Sequence, residues 1–165
     1  MKFFIAFFVL FYLTANQPQK EQYFVEFKAY NENMDIGEVG HFFVEFKRIQ
    51  NDLELSEGTF GFWPKNGYGK NDFLTRETVA GKIHDDSDSK VDLVYRKEVT
   101  REQFVSAVTV KNDWSFSSRP YTALDRDCVT FGYEVAKAIG LSVPDREWPI
   151  GFPLQELKNL KELNQ

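Results

Sequence analysis

The chain carries one cysteine in 165 residues, which excludes an internal disulfide and any zinc site built from several thiolates. Positive charge is in deficit, with 20 Lys and Arg against 25 Asp and Glu and a formal net charge of −5. Affinity for nucleic acid comes mostly from excess Lys and Arg, so a polyphosphate partner is excluded too. No basic run rescues that idea. Proline and glycine are modest, at 6 and 10 residues, and no linker, low-complexity tract or internal repeat divides the chain. The length suits one domain with one core. Aromatic residues are abundant, with 17 Phe, 7 Tyr and 3 Trp. With 42% hydrophobic and 27% charged residues, they describe a packed, strand-rich domain and neither a disordered tail nor a multi-span membrane protein.

Met1 to Leu13 hold one positive charge and then eleven apolar residues. This is the layout of a secretory signal peptide, too short for a comfortable transmembrane helix. Residues 1–17 are therefore expected to be a signal peptide, with cleavage near Thr14 to Gln17, or else an uncleaved N-terminal anchor. Residues 18–165 form the domain, and the expected location is secreted or periplasmic. No Cys follows the apolar run, which excludes a lipid-anchored cysteine at the mature N-terminus.

Tyr23 to Tyr30 is aromatic and β-branched and predicts a strand. His41 to Ile49 alternates, with Phe42, Val44 and Phe46 on one face and His41, Phe43, Glu45 and Lys47 on the other. Thr59 to Trp63 predicts a short strand, and Lys90 to Val99 another, preceded by an acidic loop at Asp85 to Asp88. Thr100 and Gln103 fit a capping box ahead of a helix bearing Phe104, Ala107 and Val108. A second helix runs from about Cys128 to Ile139 and stops at Gly140; a short terminal helix follows Pro153. Strands followed by helices make an α+β domain.

Two residues do not suit bland positions. Cys128 stands at the first turn of a helix, where unpaired N–H groups and partial positive charge favour a thiolate and can hold an oxyanion. His41 starts a strand, opposite the apolar face, and a strand-borne imidazole is the usual base for such a thiol. A buried Cys is more often a small core residue, and a strand-end His a satisfied surface group. An unpaired thiol in an exported protein is a liability unless it is used, which shifts the balance toward chemistry.

The order Gly40-His41-Phe42, then Phe60-Gly61-Phe62-Trp63-Pro64, then Tyr121-Thr122-Ala123-Leu124 before Asp127-Cys128-Val129-Thr130-Phe131 resembles the circularly permuted papain-like cysteine hydrolases. That branch includes lecithin:retinol acyltransferase-like proteins, permuted deubiquitinating-type peptidases and bacterial cell-wall amidase relatives. The resemblance spans about residues 38 to 141 and implies an antiparallel sheet packed against a Cys-bearing helix. It makes Cys128 the nucleophile and His41 the general base and acid. The family's third polar residue, which orients the imidazole, falls on Gly61, which has no side chain; Thr59, on the same strand face, is the candidate orienter. Glu45 shares His41's face, but four residues along a strand is roughly 13 Å, out of reach. Asp127 stands where Asn is more usual and is expected to turn away from sulfur to cap the helix.

Trp63 and Tyr121 are the candidate substrate contacts, although Trp63, Tyr68, Trp114 and Trp148 are more simply core aromatics. Asp85, Asp86, Asp88 and Asp92 lack the Gly and terminal Glu of a calcium loop and read as a solvated acidic loop, with His84 beside it. No metal or cofactor is required. The leading expectation is an exported amidase or peptidase working through a Cys–His thioester, with cell-wall peptides as the substrate that the bacterial branch of the resemblance implies. Its partner is a peptide- or acyl-containing substrate, and it meets a membrane only through an uncleaved N-terminal segment. The alternatives are a non-catalytic exported binding domain on the same scaffold and a thiol acyltransferase acting on lipid.

Overall fold

A computed structural model describes residues 21–31, 40–67, 76–116, 119–146 and 152–165. The expected leader, Tyr68 and Trp148 lie outside the described residues. The described chain is α+β, an open six-stranded antiparallel sheet with three helices. The strands are β1 (Gln22–Tyr30), β2 (His41–Gln50), β3 (Leu53–Pro64), β4 (Val79–Asp85), β5 (Leu93–Val99) and β6 (Pro120–Tyr121), in the spatial order β5-β1-β2-β3-β4-β6. The helices are α1 (Arg101–Phe116), α2 (Cys128–Ala138) and α3 (Pro153–Leu163). Among the described residues, no helix is long and apolar enough to cross a membrane.

Period-two alternation gives the sheet two unlike faces. The register pairs Val25 with Phe46, Phe27 with Val44 and Ala29 with Phe42, so apolar side chains meet across β1 and β2. Onto that face pack Phe104 and Trp114 of α1, Phe131 and Val135 of α2, and Leu157 and Leu160 of α3, all buried. The opposite face carries Glu26 directly across from Glu45, a repulsive pairing in isolation. Lys28 and Lys47 bridge both carboxylates, and Arg96 donates to Glu26. His41 and Phe43 share this second face.

The capping box forms as a reciprocal pair: Gln103 N–H donates to Thr100 Oγ1 at 3.2 Å, and Thr100 N–H donates to Gln103 Oε1 at 2.9 Å. α2 is docked by a close approach. A Cβ on Gly132 would lie 2.1 Å from Cε1 of Phe42, so only glycine lets the helix settle onto β2. That contact, one helical turn after Cys128, brings the head of α2 to the start of β2. The sheet also contains strands that alternation did not predict. β3 begins at Leu53 rather than Thr59, and β4 and β6 are additional; Pro64 pairs with Gly81 through the β3–β4 register.

Candidate active site

His41 opens β2 and is 2% exposed, with its ring 4.0 Å from that of Trp63 and 5.6 Å from that of Phe43. Its Nε2 lies 3.0 Å from Oδ2 of Asp86, a residue that is itself 4% exposed. An ionised carboxylate only accepts, so the proton between them sits on Nε2 and Nδ1 keeps its lone pair. The acidic loop expected to be solvated thus supplies one buried carboxylate to the imidazole. Asp86 is held firmly. Trp63 Nε1–H donates to Oδ1 and Oδ2 at 3.0 and 3.1 Å, Ser89 Oγ–H donates to Oδ1 at 3.3 Å, and Asp86 N–H donates to Thr59 O at 3.0 Å.

The missing side chain at Gly61 explains how the loop reaches in. The register pairs Gly61 with Phe43 on one side and with His84 on the other. A Cβ at Gly61 would lie 2.1 Å from Asp86 Oδ2 and 2.2 Å from His41 Nε2. The space where a strand residue would carry a third polar group is filled from above by Asp86. The contact to the imidazole that was expected of Thr59 is made by Asp86, and Thr59 gives its carbonyl oxygen to that loop. Exposed His84 has Nδ1 3.7 Å from Asp86 Oδ1, on the outer side of the carboxylate.

Cys128 is the first residue of α2, with Asp127 as N-cap. The backbone N–H groups of Phe42, which directly follows His41, and of Val129 favour ionisation of its thiol. Burial foremost, then the Asp127 charge, push the thiol up to about 12, against the two N–H groups and Arg146. This corrects the expectation of a thiolate favoured by the helix N-terminus. Cys128 is 5% exposed within the apolar core, and loss of water outweighs the end charge of one helix. Burial also holds the His41 imidazole below its ordinary value, although Asp86 pulls the other way. Burial opposes the Asp86 charge as well, but the hydrogen bonds of His41 and Trp63 win and keep its carboxyl below the ordinary range. The resting site is a neutral thiol, a neutral imidazole and an ionised carboxylate.

Asp127 caps the helix as expected. Its Oδ1 accepts from Thr130 N–H at 3.0 Å, its Oδ2 accepts from Leu124 N–H at 2.8 Å, and Arg146 grips both oxygens at 2.8 Å. Of the expected substrate contacts, Trp63 lies against His41 and Asp86, and Tyr121 lies in the core. Trp63 spends its indole N–H on Asp86, although its other edge lines an open cleft of about 470 Å³ with Lys65, Lys82 and His84. Tyr121 is buried in the core, its ring 5.6 Å from that of Phe62. Trp114 is core as well, with its indole N–H donated to Glu134 at 2.6 Å. No cluster of three or more His, Cys, Asp or Glu groups able to hold a metal ion is found among the described residues. Compared with protein-family models, curated proteins and solved structures, the chain finds no match.

Proposed function

We propose that the protein is an exported cysteine hydrolase on a permuted papain-like scaffold, cleaving an amide or related acyl bond. Cys128 is the nucleophile, His41 the base and then the acid, and Asp86 the residue that orients the imidazole. The observation that carries this reading is the buried pair of His41 Nε2 and Asp86 Oδ2 at 3.0 Å. It leaves Nδ1 as the base, on the residue before Phe42, whose backbone N–H favours ionisation of the Cys128 thiol.

With both partners neutral at rest, proton transfer accompanies attack. Sulfur bonds to the carbonyl carbon as its proton passes to Nδ1, and the leaving amine departs with that proton. A thioester remains. Water then gives a proton to Nδ1 and its oxygen to the carbonyl carbon, and the carbon–sulfur bond breaks as the thiol recovers its proton. Asp86 stays ionised throughout and stabilises the transient imidazolium. Export is read from the apolar run Met1 to Leu13, and peptide stems of cell wall are the proposed substrates by analogy of fold alone. A lipid-directed acyltransferase would share the first half-reaction and replace water with another acceptor.

The burial of Cys128 at 5% exposure favours a second reading, an exported binding domain that keeps the scaffold without the chemistry. Cell-wall fragments, small peptides and lipid esters incubated with wild type, Cys128→Ala and His41→Ala separate the two. The hydrolase reading expects turnover lost in both variants. Iodoacetamide that labels native Cys128 no faster than an ordinary exposed thiol, at a rate indifferent to His41→Ala, refutes it.

A further inference from the structure

Asp127, the N-cap residue just before Cys128, belongs to an ion pair that the mechanism above does not use. Arg146, in the segment following α2, donates from both terminal nitrogens to the two oxygens of Asp127 and also to Thr130 Oγ1 at 3.0 Å. The pair is well buried, with side chains 14% and 7% exposed. An Arg–carboxylate fork of this kind is strong and fixes orientation. The same Asp127 oxygens cap α2 and therefore set where the Cys128 backbone begins.

We propose that Arg146 is the positioning residue of the Cys128 thiol: its two-point grip locks the α2 N-cap and holds a cation against the carboxylate that adjoins Cys128. This rests on the reading of Cys128 as nucleophile, but it concerns thiol ionisation rather than turnover. An N-cap at this position needs an acceptor oxygen and no charge, since Asn caps as well as Asp. A carboxylate next to the sulfur is therefore a liability unless a cation is held against it. Arg146 is that cation, hydrogen-bonded to Asp127 and Thr130, and the charges that act on it include Asp127, Cys128 and, from α3, Glu156. The sulfur is affected in opposite senses by the two partners, with Asp127 disfavouring the thiolate and Arg146 favouring it.

The test is the rate of Cys128 alkylation by iodoacetamide, followed by intact mass across the neutral and mildly alkaline range; the lone cysteine makes the signal unambiguous. Arg146→Gln leaves Asp127 uncompensated. Thiolate nucleophilicity rises with pKa, so each unit of upward shift appears as a net slowing of about threefold. Asp127→Asn alone should speed alkylation, and Arg146→Lys should stay near wild type because the charge remains. The double variant Asp127→Asn with Arg146→Gln should return toward the wild-type rate. A purely packing role predicts the reverse sign, because loosened structure exposes the sulfur and speeds alkylation in Arg146→Gln and the double variant alike. Wild-type or faster alkylation in Arg146→Gln, or a double variant as slow as Arg146→Gln, overturns the proposal. Should Arg146→Gln fail to fold, Asp127→Asn decides, since no acceleration there overturns it equally. A flat charge series with hydrolysis abolished by Cys128→Ala sinks this inference only. An ordered series with no hydrolysis by wild type sinks the hydrolase reading only.

Discussion

Replacing Gly61 by Ala is the sharpest perturbation of the site, because it adds one methyl group and touches the chemistry directly. The added carbon would stand 2.1 Å from Asp86 Oδ2 and 2.2 Å from His41 Nε2, far inside van der Waals contact, so one partner must leave. Both are nearly sealed from water, and Asp86 is tied down by Trp63, Ser89 and the Thr59 carbonyl. The imidazole, stacked between Phe43 and Trp63, has no open side to swing into. Overpacking of this kind costs about 1–3 kcal/mol, and loss of a charge-assisted hydrogen bond adds about 1.5–3 kcal/mol. The expected destabilisation is therefore about 2.5–6 kcal/mol, measured by urea unfolding with the m-value checked for constancy. Pairing the change with Asp86→Ala should recover part of the cost, because only one of the two clashes disappears, and the two substitutions should be non-additive. Gly61→Ala with wild-type stability and an unaltered His41 titration would show that Asp86 does not occupy the space above β3, and the proposed triad would fail with it.

Other outcomes follow from the same geometry. Asp86→Asn removes the charge that props up the His41 imidazole, so the His41 ring signal in NMR should titrate still lower and turnover should fall by about a hundredfold or more. Burial favours neutral His41 in the folded protein, so it contributes stability above the ordinary histidine pKa that is lost as pH falls through the lower folded value; urea midpoints from neutral to acidic pH should decline less in His41→Gln. Glu156, buried against the Tyr133 hydroxyl at 2.6 Å, has its carboxyl raised chiefly by burial. Its stabilising effect is complete below the ordinary Glu pKa and is lost as pH rises through the folded value, so Glu156→Gln should flatten that limb of the stability profile. Gly132→Ala pushes a Cβ to 2.1 Å from the Phe42 ring and should cost about 1–3 kcal/mol by urea unfolding while slowing Cys128 labelling less than His41→Ala does.

The residues of this chain differ in how openly they declare their roles. β2 is legible because its apolar residues alternate for a full strand, and α1 because Thr100 and Gln103 announce a helix start that the hydrogen bonds then realise. β4 is hidden. Val79 to Asp85 mixes glycine, lysine and histidine, and what makes it a strand is its pairing with β3. The same tertiary effect hides Asp86. In a run of acidic residues nothing local separates the one carboxylate that folds inward from those left in water. The usable signal was the glycine: a position expected to carry a polar side chain, emptied on the strand beside a histidine, implies that something else fills the volume. Asp86 does so because its N–H is anchored to Thr59 and its oxygens to Trp63, both on the strand that Gly61 interrupts. The thiol fails from the opposite direction. Helix position is visible in a sequence and argues for a thiolate, whereas the depth of Cys128 beneath Phe42 and the charge of Asp127 emerge only when α2 docks.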